Sequence, residues 1–156
     1  MKELAVRGRK VIRPFCPSDL DTLYMIDQLC FPRGIAYSRD ELSGFIEQKG
    51  SKTWVAEAEK EIVGFVVAGR EGRKIGHVIT IDVLGRWRHR GIGSTLMDTA
   101  EEWARGAGIE FFYLETAEEN LLAQRFYEAR GYQKVEQLPN YYGRDLSAWL
   151  MMKRLR

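Results

Sequence analysis

The sequence predicts an α/β domain built on a mixed sheet, and three observations carry that expectation. Residues 53–84 hold three β-type apolar runs whose connections are too short to contain helices. The stretch from Ile75 to Thr116 reads as strand, helix, strand, a crossover that makes its two strands parallel and adjacent. The 156 residues fill one domain, 1–156 with its core at about 11–155; folding at this length buries roughly 68–70% of the unfolded chain's surface.

In chain order, Val11–Phe15 reads as the first strand, stopped by Pro14 and Pro17. Ser18 with Asp21 gives a helix-cap signal, and Leu20, Leu23, Tyr24, Ile26 and Leu29 follow with roughly helical spacing. Phe31-Pro32-Arg33-Gly34-Ile35-Ala36-Tyr37 contains two helix breakers and no period, so it is a loop. Ser38 with Glu41 is a capping box that opens a second helix ending near Gly50. TWVAEA, IVGFVVAGR and KIGHVITIDVL are then consecutive strands joined by short turns. The third is apolar on both faces, with Ile75, His77, Ile79, Ile81 and Val83 on one side and Val78 on the other, which places it in the middle of the sheet. A helix over about 91–105 puts Leu96, Ala100, Trp103 and Ala104 on one face and stops at Gly106 and Gly108. FFYLET is a strand, Asn120–Arg130 a helix closed by Gly131, and Tyr132–Gln137 and Ala148–Met152 are strands.

Composition narrows the function. An apolar fraction of 45% and a charged fraction of 29% are those of a globular protein. Twenty-four Lys and Arg against 22 Asp and Glu give +2, too even a balance to imply nucleic acid or a membrane surface as partner. Two cysteines, Cys16 and Cys30, and two histidines, His77 and His89, supply no zinc-ligand pattern, so no metal is expected. The cysteines read as buried free thiols, and the lack of an apolar leader or membrane-length run reads as cytoplasmic.

The segment with the most chemical content is Val83-Leu84-Gly85-Arg86-Trp87-Arg88-His89-Arg90-Gly91-Ile92-Gly93-Ser94, a Gly-rich turn between a buried strand and a helix. A helix start offers unpaired N–H groups and the positive end of a dipole, Gly91 and Gly93 allow close approach, and Arg88 and Arg90 add charge. A diphosphate fits such a turn. No Lys precedes Ser94, which disfavours a Walker loop, and a dinucleotide fingerprint would require GxGxxG in a parallel sheet. What remains is RxxGxG, Arg88–Gly93.

With its flanks, that pattern resembles the coenzyme A loop of the GCN5-related N-acetyltransferase (GNAT) family. A second block, Tyr113-Leu114-Glu115-Thr116, Asn120 and Arg125-Phe126-Tyr127-Glu128-Ala129-Arg130-Gly131-Tyr132, resembles the family's strand, Asn and "FYE..GF" helix. Asn140-Tyr141-Tyr142-Gly143-Arg144 before Trp149-Leu150-Met151 resembles the tail of RimI-type and archaeal protein N-terminal acetyltransferases. The resemblance implies a GNAT-like mixed sheet, mostly antiparallel, of about six to seven strands with helices on both faces and a splayed parallel central pair. It implies acetyl-CoA as co-substrate and a peptide or protein N-terminus as acceptor, with a small amine as the other acceptor, in a monomer or homodimer.

Residue by residue, the resemblance assigns Ile81, Asp82 and Val83 to the pantetheine through their backbone and His89, Arg90, Gly91, Ile92, Gly93 and Ser94, with Arg88, to the diphosphate. Asn120 goes to the coenzyme's amide arm, Tyr127 to the departing thiolate as proton donor, and Glu115 to the amine as base. Tyr37, His77, Tyr141 and Tyr142 fall on the acceptor side. The residues alone also allow plainer roles: a solvated basic turn at 86–90, a sheet histidine at 77, a core tyrosine at 127, a helix cap at Asn120 and packing at 141 and 142. Gly85 stands where the family often has Pro, Tyr37 where RimI-type sequences often carry Trp, and the loop 31–34 lacks the acidic residue of some archaeal relatives. The alternatives are a lysine or small-molecule acetyltransferase and a non-catalytic acetyl-CoA sensor.

Overall fold

The computed structural model describes residues 4–6 and 10–155. Eight strands and four helices follow in the order β1 (Leu4–Val6), β2 (Lys10–Pro14), α1 (Leu20–Cys30), α2 (Arg39–Glu47), β3 (Lys52–Ala58), β4 (Glu61–Arg70), β5 (Ile75–Val83), α3 (Ile92–Gly106), β6 (Phe111–Ala117), α4 (Leu121–Ala129), β7 (Gln133–Gly143) and β8 (Leu146–Arg154). Short 3₁₀ turns at Pro17–Asp19 and Gly85–Trp87 precede α1 and α3. The strand order is β1-β2-β3-β4-β5-β6-β8-β7. The chain divides into two compact units, one of residues up to Gly69 with Ile79–Trp103 and one of Arg70–Val78 with Ala104 onward.

In the first unit, β1/β2, β2/β3 and β3/β4 pair antiparallel. Strand alternation sends Val55 and Trp54 to opposite faces. Val55, Phe65, Val67 and Ile79 form a core with Leu23 and Ile26 of α1 and Leu42 of α2. Each fully buried side chain of this kind contributes about 1.5–3 kcal/mol. Trp54 meets the ring of Trp103 on α3 edge-on at 5.9 Å. Helices therefore cover both faces, as expected. Gly64, opposite a register shift between Ala56 and Glu57, permits a close approach: a Cβ there would lie 2.7 Å from the Asp82 carbonyl oxygen.

The second unit holds the parallel register Ile75↔Phe111, Gly76↔Phe112 and His77↔Tyr113. β5 runs on to Val83 and β6 to Ala117, so parallel pairing occupies only the first part of each strand. β8 pairs antiparallel with both β6 and β7. Gly131, at φ +97°, closes α4, and Tyr132 N–H then bonds the Tyr127 carbonyl.

Among the described residues the expected mixed sheet gains a short edge strand, Leu4–Val6, which pairs along β2; a three-residue run shows no period from which to read a strand. Two expectations, the helix cap at Ser18 and the burial of Cys16, need correction. Ser18 does not cap α1. Asp19 precedes that helix and is engaged elsewhere, accepting the Cys16 N–H at 2.7 Å and both terminal nitrogens of Arg13 at 2.9 Å. The Arg13 guanidinium holds the Asp19 carboxyl below the usual carboxylate range. On β5 the even positions, Gly76, Val78, Thr80 and Asp82, are the more buried, whereas Ile75 is 41% exposed. Cys16 is exposed rather than buried, while Cys30 is half-buried; both are free thiols. No helix among the described residues is long and apolar enough to cross a membrane.

Candidate active site

The first unit carries the Gly/Arg turn. The chain leaves β5 at Val83, makes the 3₁₀ turn with Trp87 buried, and passes through left-handed backbone at His89 (φ +62°) and Gly91 (φ +83°). Thr95 N–H bonds the Gly91 carbonyl at 3.0 Å as the first helix-closing bond, which leaves the N–H groups of residues 91–94 outside the ladder of α3. Open space surrounds the position a Gly91 Cβ would take. These residues fit the diphosphate of a coenzyme. The basic residues are sorted by their partners: Arg86 pairs with Glu61 at 3.0 Å, Arg90 lies 4.8 Å over the Trp87 ring, and Arg88 Nε donates to the Val83 carbonyl at 2.9 Å. Val83, expected to face the pantetheine through its backbone, thus has its carbonyl engaged, and Cys30 Sγ also lies 3.4 Å from it.

Behind that strand end stands a polar cluster that the sequence did not suggest. Asp82 is 1% exposed and accepts the Thr80 hydroxyl at 2.6 Å, and it faces the fully buried Asp27 of α1. Burial first, and the Asp27 carboxyl second, push the Asp82 carboxyl well above the usual range. Burial also pushes the Cys30 thiol up to about 11. Asp27 accepts the Tyr37 N–H at 2.8 Å, Gln28 donates to the Tyr37 carbonyl at 2.6 Å, and the Tyr37 hydroxyl reaches the Ile79 carbonyl at 3.4 Å. Tyr37 is therefore fixed at both backbone and side chain.

The second unit brings together Glu115, His77 and three tyrosines. His77 Nε2 lies 2.8 Å from Glu115 Oε1, and its Nδ1 lies 3.4 Å from Glu71 Oε1. The Tyr113 ring stacks on the imidazole at 4.3 Å and 4°. Tyr141 neighbours Glu115 and meets Tyr142 edge-on at 4.9 Å. Burial and then the Glu115 charge push both of those phenols up, so they stay protonated donors. Tyr113 moves the same way, by burial and the neighbouring Glu71 charge. Sequence reading placed His77 and Glu115 separately and missed Glu71 and Tyr113. The parallel register His77↔Tyr113, together with the shared face of residues 113 and 115, is the signal that unites them.

Two further residues on α4 were singled out. Asn120 is the helix N-cap, its side chain accepting the Ala123 N–H at 3.1 Å, so the plainer role is realised. Tyr127 is buried, with edge contacts to Phe126 and Tyr132 at 5.3 and 5.7 Å. No group of three or more His, Cys, Asp or Glu that could hold a metal occurs among the described residues.

Comparison with known proteins gives the class of protein, an acetyltransferase. Residues 20–132 match the model of the acetyltransferase (GNAT) family, and the chain belongs to that family. It is an N-acetyltransferase. It is 32% identical to an uncharacterized N-acetyltransferase of Methanocaldococcus jannaschii over 92% of this chain and 91% of the relative. It is 28% identical to an N-alpha-acetyltransferase of Saccharolobus solfataricus over 88% of each. Among solved structures, Ard1 from Thermoplasma volcanium superposes with a TM-score of 0.84 at 27% identity, over 93% of this chain and 97% of that one.

Proposed function

We propose that this chain, acting as one N-acetyltransferase domain in the cytoplasm, acetylates the α-amine of a peptide or protein N-terminus. The observation that carries the reading is the 2.8 Å contact between Glu115 and His77, bordered by Tyr113 and Tyr141. Such a cluster offers a carboxylate held by a ring nitrogen, with phenol donors beside it. The names of the archaeal relatives, N-alpha-acetyltransferases, support the same acceptor.

An α-amine titrates at about 7.7–8.0 and a lysine amine at about 10.4, so near neutral pH the former needs only modest help to become a nucleophile. Glu115 takes the amine's proton, and His77 keeps that carboxylate in register. Tyr141 and Tyr142 border the acceptor. Acetyl-CoA supplies the acetyl group as a thioester. The N–H groups of residues 91–94 and Arg88 hold its diphosphate, and as the C–S bond breaks Tyr127 gives a proton to the thiolate that leaves.

Coenzyme A release is measured with two matched peptides, one with a free N-terminus and no lysine, the other blocked and carrying one lysine. Turnover with the first alone, lost in Glu115→Gln, supports the proposal. Turnover with the blocked peptide alone assigns lysine as acceptor, and silence with both, alongside retained acetyl-CoA binding, leaves small amines or a sensor.

A further inference from the structure

Glu71 belongs to neither the coenzyme turn nor any pattern the sequence offered, yet its carboxylate faces the imidazole nitrogen opposite Glu115. It follows β4 directly, and its N–H bonds the Ile75 carbonyl at 2.9 Å, so the turn that carries it is tied to the strand that carries His77. The ring therefore stands in line between two carboxylates, Glu115 Oε1 at 2.8 Å from Nε2 and Glu71 Oε1 at 3.4 Å from Nδ1. Tyr113 closes one ring face and neighbours Glu71, while Tyr141 neighbours Glu115. Each carboxylate thus has one phenol and one imidazole nitrogen as neighbours. The two differ in access: the Glu115 side chain is 12% exposed, that of Glu71 41%.

We propose that Glu71 is a positioning residue: through Nδ1 it sets the tautomer and orientation of the His77 ring and so keeps Nε2 on Glu115. A neutral imidazole carries one N–H, so it satisfies only one of two flanking carboxylates; a ring with both N–H groups satisfies both. Glu71 accordingly favours a hydrogen on Nδ1 and fixes the ring so that Nε2 stays on Glu115 Oε1. The arrangement is that of a carboxylate orienting a histidine that in turn serves the reacting group. The charged and titratable groups facing the ring are Glu71 from the turn, Glu115 and Tyr113 from β6, and Tyr141 and Tyr142 from β7 by way of Glu115. No protein cation faces it among these, so Glu71 is the group whose removal most changes the field at Nδ1. The proposal rests on Glu115 as base, but its first readout does not depend on turnover.

The test is ¹⁵N NMR of His77 at neutral pH in the full chain without coenzyme, with His89→Gln to assign the two histidines. In Glu71→Gln, which keeps an acceptor oxygen and removes the charge, the Nδ1 resonance moves toward its unprotonated position, and kcat with a free-amine peptide falls. In a His77→Gln background, Glu71→Gln adds no further loss of kcat. An unchanged Nδ1 resonance, or an equal loss of kcat with and without His77, overturns the proposal and leaves Glu71 a turn residue. If the resonance moves while kcat stays put, the positioning of His77 stands and the reading of Glu115 as base fails.

Discussion

Asp82 and Asp27 meet as two buried carboxyls, 1% and 0% exposed, and each has one oxygen, Oδ2 and Oδ1 respectively, with no other hydrogen-bond partner. Two carboxyls in that position cannot both ionise cheaply, so one proton stays on the pair. Because the fold raises the Asp82 carboxyl, the native state holds a proton that the unfolded chain, titrating near 3.9, releases first. The stabilisation is complete below that pH and is lost as pH climbs toward the folded value. Urea unfolding of the wild type therefore weakens with rising pH by up to about 1.4 kcal/mol per unit for one proton. Asp82→Asn supplies a permanent donor and flattens that slope; a slope equal to the wild type's contradicts the retained proton.

Tyr127→Phe keeps the ring that packs against Phe126 and Tyr132 and removes only the hydroxyl. Turnover falls by roughly 10²-fold or more if that hydroxyl is the proton donor. Melting temperature and acetyl-CoA affinity, measured by calorimetry, stay close to those of the wild type.

Gly64→Ala places a Cβ 2.7 Å from the Asp82 carbonyl oxygen, with Val83 Cγ2 at 3.3 Å and Val83 Cα at 3.4 Å beside it. The clash is relieved only by moving β5, at a cost of about 1–3 kcal/mol. Since Ile81–Val83 is the stretch assigned to the pantetheine, the KM for acetyl-CoA rises in parallel with the loss of thermal stability.

Ser38→Ala removes the hydroxyl that accepts the Glu41 N–H at 3.1 Å and opens the reciprocal pair in which Glu41 accepts the Ser38 N–H at 2.9 Å. Chemical denaturation reports a loss of about 1 kcal/mol. The kcat is unaffected, because α2 contributes Leu42 to the core and no residue to the proposed chemistry.

Much of the fold was legible because its signals are local. The Ser38/Glu41 box, the glycine that closes α4 and the short turns between β3, β4 and β5 each need only a few adjacent residues. The Gly-rich turn was readable for the same reason, since residues 88–94 are contiguous. What escaped depends on pairing across the sheet. Strand β1 is defined by its partner β2, and the line Glu71, His77, Glu115 joins a turn to two strands 38 residues apart. The buried carboxyl pair escaped in the same way, since Asp82 of β5 faces Asp27 of α1 only in the folded chain.

The unlike surroundings of Cys16 and Cys30 give the molecule a built-in chemical address. Only a thiolate attacks a maleimide or a disulfide reagent, and the Cys30 thiol, half-buried and pushed up to about 11, is almost wholly protonated near neutral pH. Cys16 is exposed at the start of the turn that leads into α1. A single fluorophore or spin label can thus be attached at one known point of the native chain, and reaction at Cys30 becomes a clock for the opening of the core beside Asp82.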